Sequence, residues 1–338
     1  MIVSAIARAV AREDLSFELA RASMEQILAG EATAAQIAAL AIALRMKGET
    51  ADEIAGMAEA MRARVPPLRT RRAPLLDTCG TGGGDTGGHT KFNISTTVAI
   101  VTASCGVAVA KHGNRAVTSR TGSADVLEAL GVRLDLTPES AGRSLDHLGL
   151  TFLFAPNYHS AMRNAAGARK EMGVRTVFNL LGPLTNPAGA TRQLLGVYAD
   201  PFVPTLAEVL RRLGSERAMI VHGADGMDEL TVFGTNHVAE LRDGRIREYE
   251  LDPRSLGLAH ADRAAVAGGS ALENAAKVRA VLAGQNGPAR DIVLLNSAAA
   301  LMVAGVVDEL PAGIERARQA LDRGDARAKL DELATFRG

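Results

Sequence analysis

From residue 1 to about residue 64 the apolar positions recur at helical spacing and never alternate as in a strand. Ile37, Leu40, Ala41 and Leu44 form one stripe, and Ile54, Met57, Ala58 and Met61 form the next. Thr33 with Gln36, and Thr50 with Glu53, have the spacing of capping boxes, while Gly30 and Gly48 stand where helices should end. The pattern predicts a small, purely helical domain. Val65–Pro74 breaks it, with Pro66, Pro67 and Pro74 set among Arg69, Arg71 and Arg72, and reads as an exposed linker or hinge.

Beyond the linker, short β-branched runs alternate with helical patterns. Strands are expected at Leu75–Asp77, Val107–Ala110, Val132–Leu136, Thr151–Phe154, Leu194–Tyr198 and Met219–His222. Helices are expected at 93–105, 123–130, 138–148, 158–172 and 202–213, with Thr137-Pro138 a helix start and Ser270 with Glu273 another. Such alternation implies a mainly parallel sheet covered on both faces. Val238–Leu241 and Ile246–Leu251 flank Asp243-Gly244, a hairpin signal that adds antiparallel strands. The fold class is therefore α/β, a small N-terminal helical domain plus a large α/β domain with a mainly parallel central sheet.

The chain has 338 residues, 38 basic and 38 acidic side chains and a formal net charge of zero, so no global field points to nucleic acid or to an acidic membrane. Only 3% of residues are aromatic and Trp is absent, which suits helices packed closely on a sheet. Cys79 and Cys105 make no disulfide framework and fit a reducing compartment. Charges interrupt every apolar run before membrane-spanning length, and the start lacks the pattern of a signal peptide. A cytoplasmic protein is expected.

The chemistry concentrates first between Asp77 and Asp125. Glycines at 80, 82, 83, 84, 87 and 88 leave few side chains to keep a ligand from the backbone N–H groups. The loop feeds a helix N-terminus, where unpaired N–H groups and the positive dipole end favour phosphate. It is neither a P-loop, since no Gly-Lys-Ser/Thr follows, nor a good dinucleotide fingerprint. An anion nest competes with a plain surface loop.

Asn93-Ile-Ser-Thr96 falls in the first helical turn, where Asn93 and Ser95 can cap while Ser95 also offers its hydroxyl to a phosphate or its magnesium. Lys111-His-Gly-Asn-Arg115 should lie at a strand's carboxyl end, where open α/β sheets bind ligands; a solvated basic turn is the plainer account. Lys111 would be a point charge on phosphate and Asn114 a polar contact to an acceptor. His222-Gly-Ala-Asp-Gly-Met-Asp-Glu229 gathers Asp225, Asp228 and Glu229. Adjacent carboxylates repel unless a cation sits between them, and hard oxygens suit magnesium; otherwise this is an acidic surface turn. Cys79 reads as a small buried residue.

Together these segments resemble the anthranilate phosphoribosyltransferase family along nearly the whole chain. The likeness rests on Gly80-Thr-Gly-Gly83, Asn93-Ile-Ser-Thr96, Lys111-His-Gly-Asn-Arg115, Gly122–Gly131, Thr176–Pro187 and Asp225-Gly-Met-Asp-Glu-Leu-Thr231. The resemblance implies transfer of phosphoribose from phosphoribosyl pyrophosphate (PRPP) to the anthranilate amine, with release of pyrophosphate, in the second step of tryptophan synthesis from chorismate. It implies PRPP binding by Gly80, Thr81, Gly82, Gly83, Asp85, Asn93, Ser95, Thr96, Lys111 and Ser119. Anthranilate would meet Gly80, His112, Asn114, His159 and Arg169, with Arg169 on its carboxylate.

By the same resemblance, Ser95, Asp228 and Glu229 would engage a pair of magnesium ions. No residue would serve as general base; Lys111 and the bound metal would stabilise the leaving charge. The helical domain would span 1–70, joined by a returning segment at about 157–185, and the large domain 71–156 and 186–338. A homodimer is implied, and an association with anthranilate synthase is compatible with the resemblance. Gly84, the Asp85–Gly88 stretch and Lys91 make the glycine loop longer than the family's usual form, and Gly167 stands where a proline is common. The alternatives are a nucleoside-phosphorylase-like enzyme and a non-catalytic, nucleic-acid-binding relative. Asp228-Glu229 with Asn93–Thr96 argue against the first; Arg169, Asn114 and zero net charge argue against the second.

Overall fold

The computed structural model describes residues 1–82, 91–116, 120–258, 260 and 263–338. Four helices open the chain: α1 (Ile2–Val10), α2 (Phe17–Ala29), α3 (Ala34–Lys47) and α4 (Ala51–Arg62). Both capping boxes form, at Thr33/Gln36 and Thr50/Glu53. Glu53 does more than cap: its buried carboxylate accepts from the Thr50 and Leu15 amides, each at 2.8 Å, and pairs with Lys47 at 3.1 Å. One acidic side chain thus joins three segments of the bundle, and every oxygen it buries is satisfied.

A seven-stranded sheet follows, with the order β3-β2-β1-β4-β5-β6-β7. The strands are β1 (Leu76–Gly80), β2 (Val109–Gly113), β3 (Leu150–Phe154), β4 (Arg192–Gly196), β5 (Arg217–Gly223), β6 (Asn236–Arg242) and β7 (Arg245–Leu251). Strands β1 to β5 run parallel, and β6 and β7 add antiparallel edges. The β6–β7 hairpin turns at Asp243 (φ 53°) and Gly244 (φ 73°), the pair of positive φ values that a tight two-residue hairpin needs.

The intervening helices are α5 (Ile94–Ser104), α6 (Ser123–Ala129), α7 (Pro138–Leu148), α8 (Ala155–Tyr158), α9 (Arg163–Met172), α10 (Val177–Leu181) and α11 (Phe202–Arg212). After the sheet come α12 (Ala271–Leu282), α13 (Pro288–Val303), α14 (Leu310–Asp322) and α15 (Asp325–Thr335).

Alternation along the strands feeds two cores. Leu194, Met219, Val221 and Val238 pack with α5 and α13. Cys79, Leu195, Ala218, Ile220, Ala239 and Leu241 pack with α11, and that apolar cluster continues into α1–α4, α9 and α10. Each large aliphatic side chain buried there contributes about 1.5–3 kcal/mol. Polar ties cross the same boundary: Arg62 donates to the Leu184 carbonyl at 2.6 Å and to the Leu213 carbonyl at 3.2 Å, and Asn164 donates to Leu28 at 3.0 Å. Among the described residues no helix is long and apolar enough to cross a membrane.

The structure corrects several sequence expectations. Val132–Leu136 is not a strand; Val132 and Leu136 are buried in different clusters, and the segment pairs with no neighbour. β1 runs on to Gly80 and β2 on to Gly113, so Lys111 and His112 are strand residues, paired in register with Phe152 and Leu153. The helix expected over 158–172 is broken at His159, whose φ of −114° and ψ of 46° are not helical. These shifts place the chemistry at strand ends rather than in the loops beyond them.

Candidate active site

The order β3-β2-β1-β4-β5 reverses direction between β1 and β4, and a crevice beyond the carboxyl ends of such strands is where open α/β sheets take ligands. At that point the Asp228-Glu229 turn lies against both strands. A Cβ on Gly80 would stand 2.5 Å from the Asp228 carboxylate, and one on Gly196 would overlap the Asp228 carbonyl. These two glycines, each ending a strand, let the acidic turn sit directly on the sheet. The sequence motif points to Gly80 as a ligand contact; Gly196 escapes sequence reasoning, because an unaccompanied glycine at a strand end carries no motif.

Asp228 and Glu229 are both buried. Asp228 Oδ2 accepts from the Gly82 amide at 2.8 Å. The Lys91 ammonium lies 2.8 Å from Asp228 Oδ1 and 3.1 Å from Glu229 Oε1, and it donates to the Asp228 carbonyl at 3.4 Å. Burial pulls the Lys91 ammonium down, but the two carboxylates outweigh it and hold the group above the ordinary lysine value. Burial pushes the Glu229 carboxyl up, against the pull of Lys91 and with the repulsion of Asp228. Asp225, the third acid of the sequence cluster, is turned inward on its own loop by Thr231 and the Met227 amide.

Beneath this pair, Lys111 is buried. Its ammonium donates to the Thr78 carbonyl at 2.5 Å and to Ser95 Oγ at 3.2 Å. Burial lowers its pKa, which Asp77 opposes. Asp77 accepts from Asn186 at 2.7 Å and from the His112 amide at 3.2 Å, and burial raises its carboxyl. Asp77, Asn186, Gly196 and Lys91 are the residues that sequence reasoning missed as parts of this assembly. Three lie in segments already singled out for other reasons, and only their contacts reveal what they do.

The rest of the predicted phosphate site is mixed. The Thr81 amide is taken by the Gly196 carbonyl at 2.9 Å, and Gly82 by Asp228, so neither described amide of the loop is free in this arrangement. Asn93 stands at the start of α5 but makes no side-chain cap. Its amide reaches across instead, accepting from Asn274 at 2.9 Å and donating to the Thr121 carbonyl at 3.4 Å, because Asn274 competes for the oxygen a cap would use. Thr96 is buried and its hydroxyl has no hydrogen-bond partner. Gly83, Asp85 and Ser119 lie outside the described residues.

A second assembly forms where β2 meets the turn after α8. The rings of His112 and His159 approach to 5.1 Å between centroids, tilted by 57°. Burial and the neighbouring imidazole lower His112 to about 3, and burial lowers His159 to about 4, so both are neutral at pH 7. The Nε2 atom of each ring has no partner, and neither has the buried Tyr158 hydroxyl. Arg169, on α9, stacks its guanidinium 5.5 Å from the Phe178 ring centre, and burial alone lowers its pKa. No carboxylate among the described residues pairs with it. Asn114 is exposed and tied to its own turn, its Oδ1 accepting from the Arg115 amide at 2.7 Å. Neither Asn114 nor Arg169 hydrogen-bonds to the imidazole pair.

The architecture is thus a helical bundle joined to a mixed sheet with charge buried at its switch point. Models of the glycosyl transferase family match the chain as its helical bundle domain over residues 3–65 and its a/b domain over residues 72–327. The chain is 53% identical over 336 residues to the anthranilate phosphoribosyltransferase of Moorella thermoacetica, covering 99% of this chain and 98% of that one. The crystal structure of the Thermus thermophilus anthranilate phosphoribosyltransferase superposes with a TM-score of 0.92 at 46% identity, covering 98% of each chain. The Saccharomyces cerevisiae enzyme in complex with PRPP and Mg gives a TM-score of 0.87 at 27% identity, covering 98% of this chain and 96% of that one. The chain belongs to the anthranilate phosphoribosyltransferase family of glycosyl transferases.

Proposed function

We infer that this chain transfers the phosphoribosyl group of PRPP to the amine of anthranilate. The products are N-(5-phosphoribosyl)anthranilate and pyrophosphate, and the reaction is the second step of tryptophan synthesis from chorismate. The observation that carries this reading is the buried Asp228-Glu229 pair, seated by two close-approach glycines at the switch point of the sheet and holding a cation.

That arrangement fits magnesium. Two buried carboxylates and the Ser95 hydroxyl, which accepts from Lys111, are hard oxygen donors, and the acids already hold positive charge between them. Asp228, Glu229 and Ser95 would hold a pair of magnesium ions, which, when bound, supply positive charge against the leaving pyrophosphate. Lys111 adds charge from below, fixed by Thr78 and Ser95 and kept near Asp77, so it acts by its field on the substrate's phosphates. Gly80, Thr81, Gly82, Gly83, Asp85, Asn93, Thr96 and Ser119 complete the proposed PRPP site.

Anthranilate is an aromatic amine, neutral at pH 7, whose nitrogen needs orientation more than deprotonation. Its lone pair attacks ribose C1 as the C1–O bond breaks and the electron pair leaves with pyrophosphate. The amine then loses its proton to water. No general base is required, in keeping with two imidazoles whose burial makes them weak bases. Arg169 would pair with the anthranilate carboxylate, the one partner its half-buried guanidinium lacks. His112, His159 and Asn114, with Gly80, would line the path to the ribose.

In this reading the small domain is 1–70 with a returning segment at about 157–185 that bears His159 and Arg169, and the large domain, 71–156 with 186–338, bears the PRPP and metal residues together with His112 and Asn114. A homodimer is part of this reading: Val3 and Val10 on α1 and Met46 on α3, two helices that pack on each other, are exposed apolar side chains that a second copy would cover. Localisation in the cytoplasm accords with two buried free cysteines. An association with anthranilate synthase is compatible with this reading.

The test mixes the purified protein with PRPP, magnesium and anthranilate and follows the loss of anthranilate fluorescence. Loss that needs all three components is expected. A folded protein that consumes no anthranilate under these conditions would overturn the assignment.

A further inference from the structure

Lys91 belongs to the stretch that lengthens the glycine loop, and sequence reasoning gives it no role. Its backbone is held against the segment 266–268. The Phe92 amide donates to the Val266 carbonyl at 3.0 Å, Lys91 bridges to Ala267, and a Cβ on Gly268 would overlap the Lys91 carbonyl. The main chain is therefore held, and the side chain is tethered through four carbons to its ammonium, which also donates to the Asp228 carbonyl at 3.4 Å.

That side chain places its ammonium between Asp228 Oδ1 at 2.8 Å and Glu229 Oε1 at 3.1 Å. Asp228 Oδ2 is already taken by the Gly82 amide. The ammonium thus fills the space between two carboxylates that the proposed function assigns to magnesium. The Lys91 side chain is 22% exposed, where those of the acids are 4% and 7% exposed.

We propose that Lys91 is a built-in counter-ion that occupies the acidic pair in the absence of substrate and competes with the divalent cation for it. The inference rests on the reading of Asp228 and Glu229 as metal ligands. The physical need is plain. Two adjacent buried carboxylates repel each other and resist burial without positive charge nearby. A metal ion arriving alone would have to displace a covalently tethered competitor, whereas PRPP would bring further hard oxygen donors for the metal and an anion for the freed ammonium to face.

A site whose open form is only a fraction of the population binds with an affinity reduced by that fraction. Lys91 therefore suppresses metal binding by the empty enzyme and ties it to PRPP. It is a positioning residue for the metal-bound substrate, acting through the acidic pair.

The experiment measures Mn²⁺ binding to the full-length protein without PRPP, from the loss of the free-ion electron paramagnetic resonance signal. Lys91→Met is expected to bind Mn²⁺ about tenfold more tightly than wild type, the change that follows if the clamped form outweighs the open one about tenfold. Lys91→Arg, which keeps the charge, should stay weak. Adding Asp228→Asn and Glu229→Gln to Lys91→Met should erase the gain. PRPP should tighten Mn²⁺ binding more in wild type than in Lys91→Met.

Equal affinity of wild type and Lys91→Met, or a gain that survives neutralising both acids, would overturn the proposal. If Lys91→Met needs Mn²⁺ to fold, a metal-dependent rise in melting temperature larger than that of wild type reads the same competition. Lys91→Gln, which retains a donor for the acids, then serves for titration. A wild-type protein that binds no Mn²⁺ even with PRPP would instead refute the metal-ligand reading, a separate outcome.

Discussion

The two ends of this crevice solve the burial of polar groups in opposite ways. At the acidic end, buried Asp228 and Glu229 face the Lys91 ammonium at 2.8 and 3.1 Å, while buried Asp77 and Lys111 are satisfied by neutral donors and acceptors. At the imidazole end, burial leaves His112 and His159 neutral, their Nε2 atoms unpartnered, and the Arg169 guanidinium without a carboxylate among the described residues. The first end pairs its acids with a cation of its own and must exchange partners to bind another. The second is incomplete and gains by binding. That contrast suits a polyanion carried by metal on one side and a flat aromatic bearing a single negative charge on the other.

The contrast breaks most sharply at the acids. Changing Asp228 to Asn and Glu229 to Gln together should lower kcat/KM by at least about a thousandfold, roughly 4 kcal/mol of transition-state stabilisation. Retention of magnesium-dependent turnover within tenfold of wild type would mean the acidic end is structural only. Next in size is Gly196→Ala. Its Cβ would overlap the Asp228 carbonyl, so the turn or the strand must move, at a cost of about 1–3 kcal/mol. Urea unfolding measures that cost, and an unchanged midpoint with full activity would show that the acidic turn does not depend on contact with β4.

How much of this is legible in the sequence depends on whether the information is local. The bundle, its capping boxes and the hairpin at Asp243-Gly244 follow from spacing and turn chemistry, and they form as expected. Val132–Leu136 carries an apolar pattern suited to a strand, but a strand needs a neighbour, and neighbours are not written in five residues. The site shows the same divide. Asp228 and Glu229 stand out because adjacent acids are unusual, while Lys91 is silent because its partners are more than a hundred positions away. Asn93 looks like a cap and spends its side chain on Asn274, which no local rule connects to it.

At the imidazole end the expected effects are smaller and more selective. Arg169→Ala removes one charge-assisted contact, and should raise the anthranilate KM roughly tenfold to a hundredfold, about 1.5–3 kcal/mol, while leaving the PRPP KM within twofold. Steady-state kinetics with each substrate varied in turn separates the two. Parallel rises in both constants would place Arg169 in the frame joining the two halves of the molecule instead of on the acceptor.

The smallest effect follows from the neutral imidazoles. In the unfolded chain a histidine takes up a proton near its ordinary value of about 6.5, whereas in the folded chain His112 waits until about 3 and His159 until about 4. Between those limits the unfolded state binds more protons, so stability is fully present above about pH 6.5 and falls as the pH drops. By pH 5.5 each ring costs about 1.4 kcal/mol of folding stability relative to pH 7.5. Asp77 and Glu229, whose carboxyls burial raises, work in the opposite direction at lower pH, so the wild-type curve alone mixes the two ends. Comparison with His112→Asn separates them. Its absolute stability will be lower, but its loss between pH 7.5 and pH 5.5 should be smaller than that of wild type by about 1.4 kcal/mol. Urea unfolding at the two pH values gives that difference directly. Parallel curves would mean that His112 is protonated as readily in the folded protein as in the unfolded chain, and the imidazole end would then be as ready to hold positive charge as the acidic end.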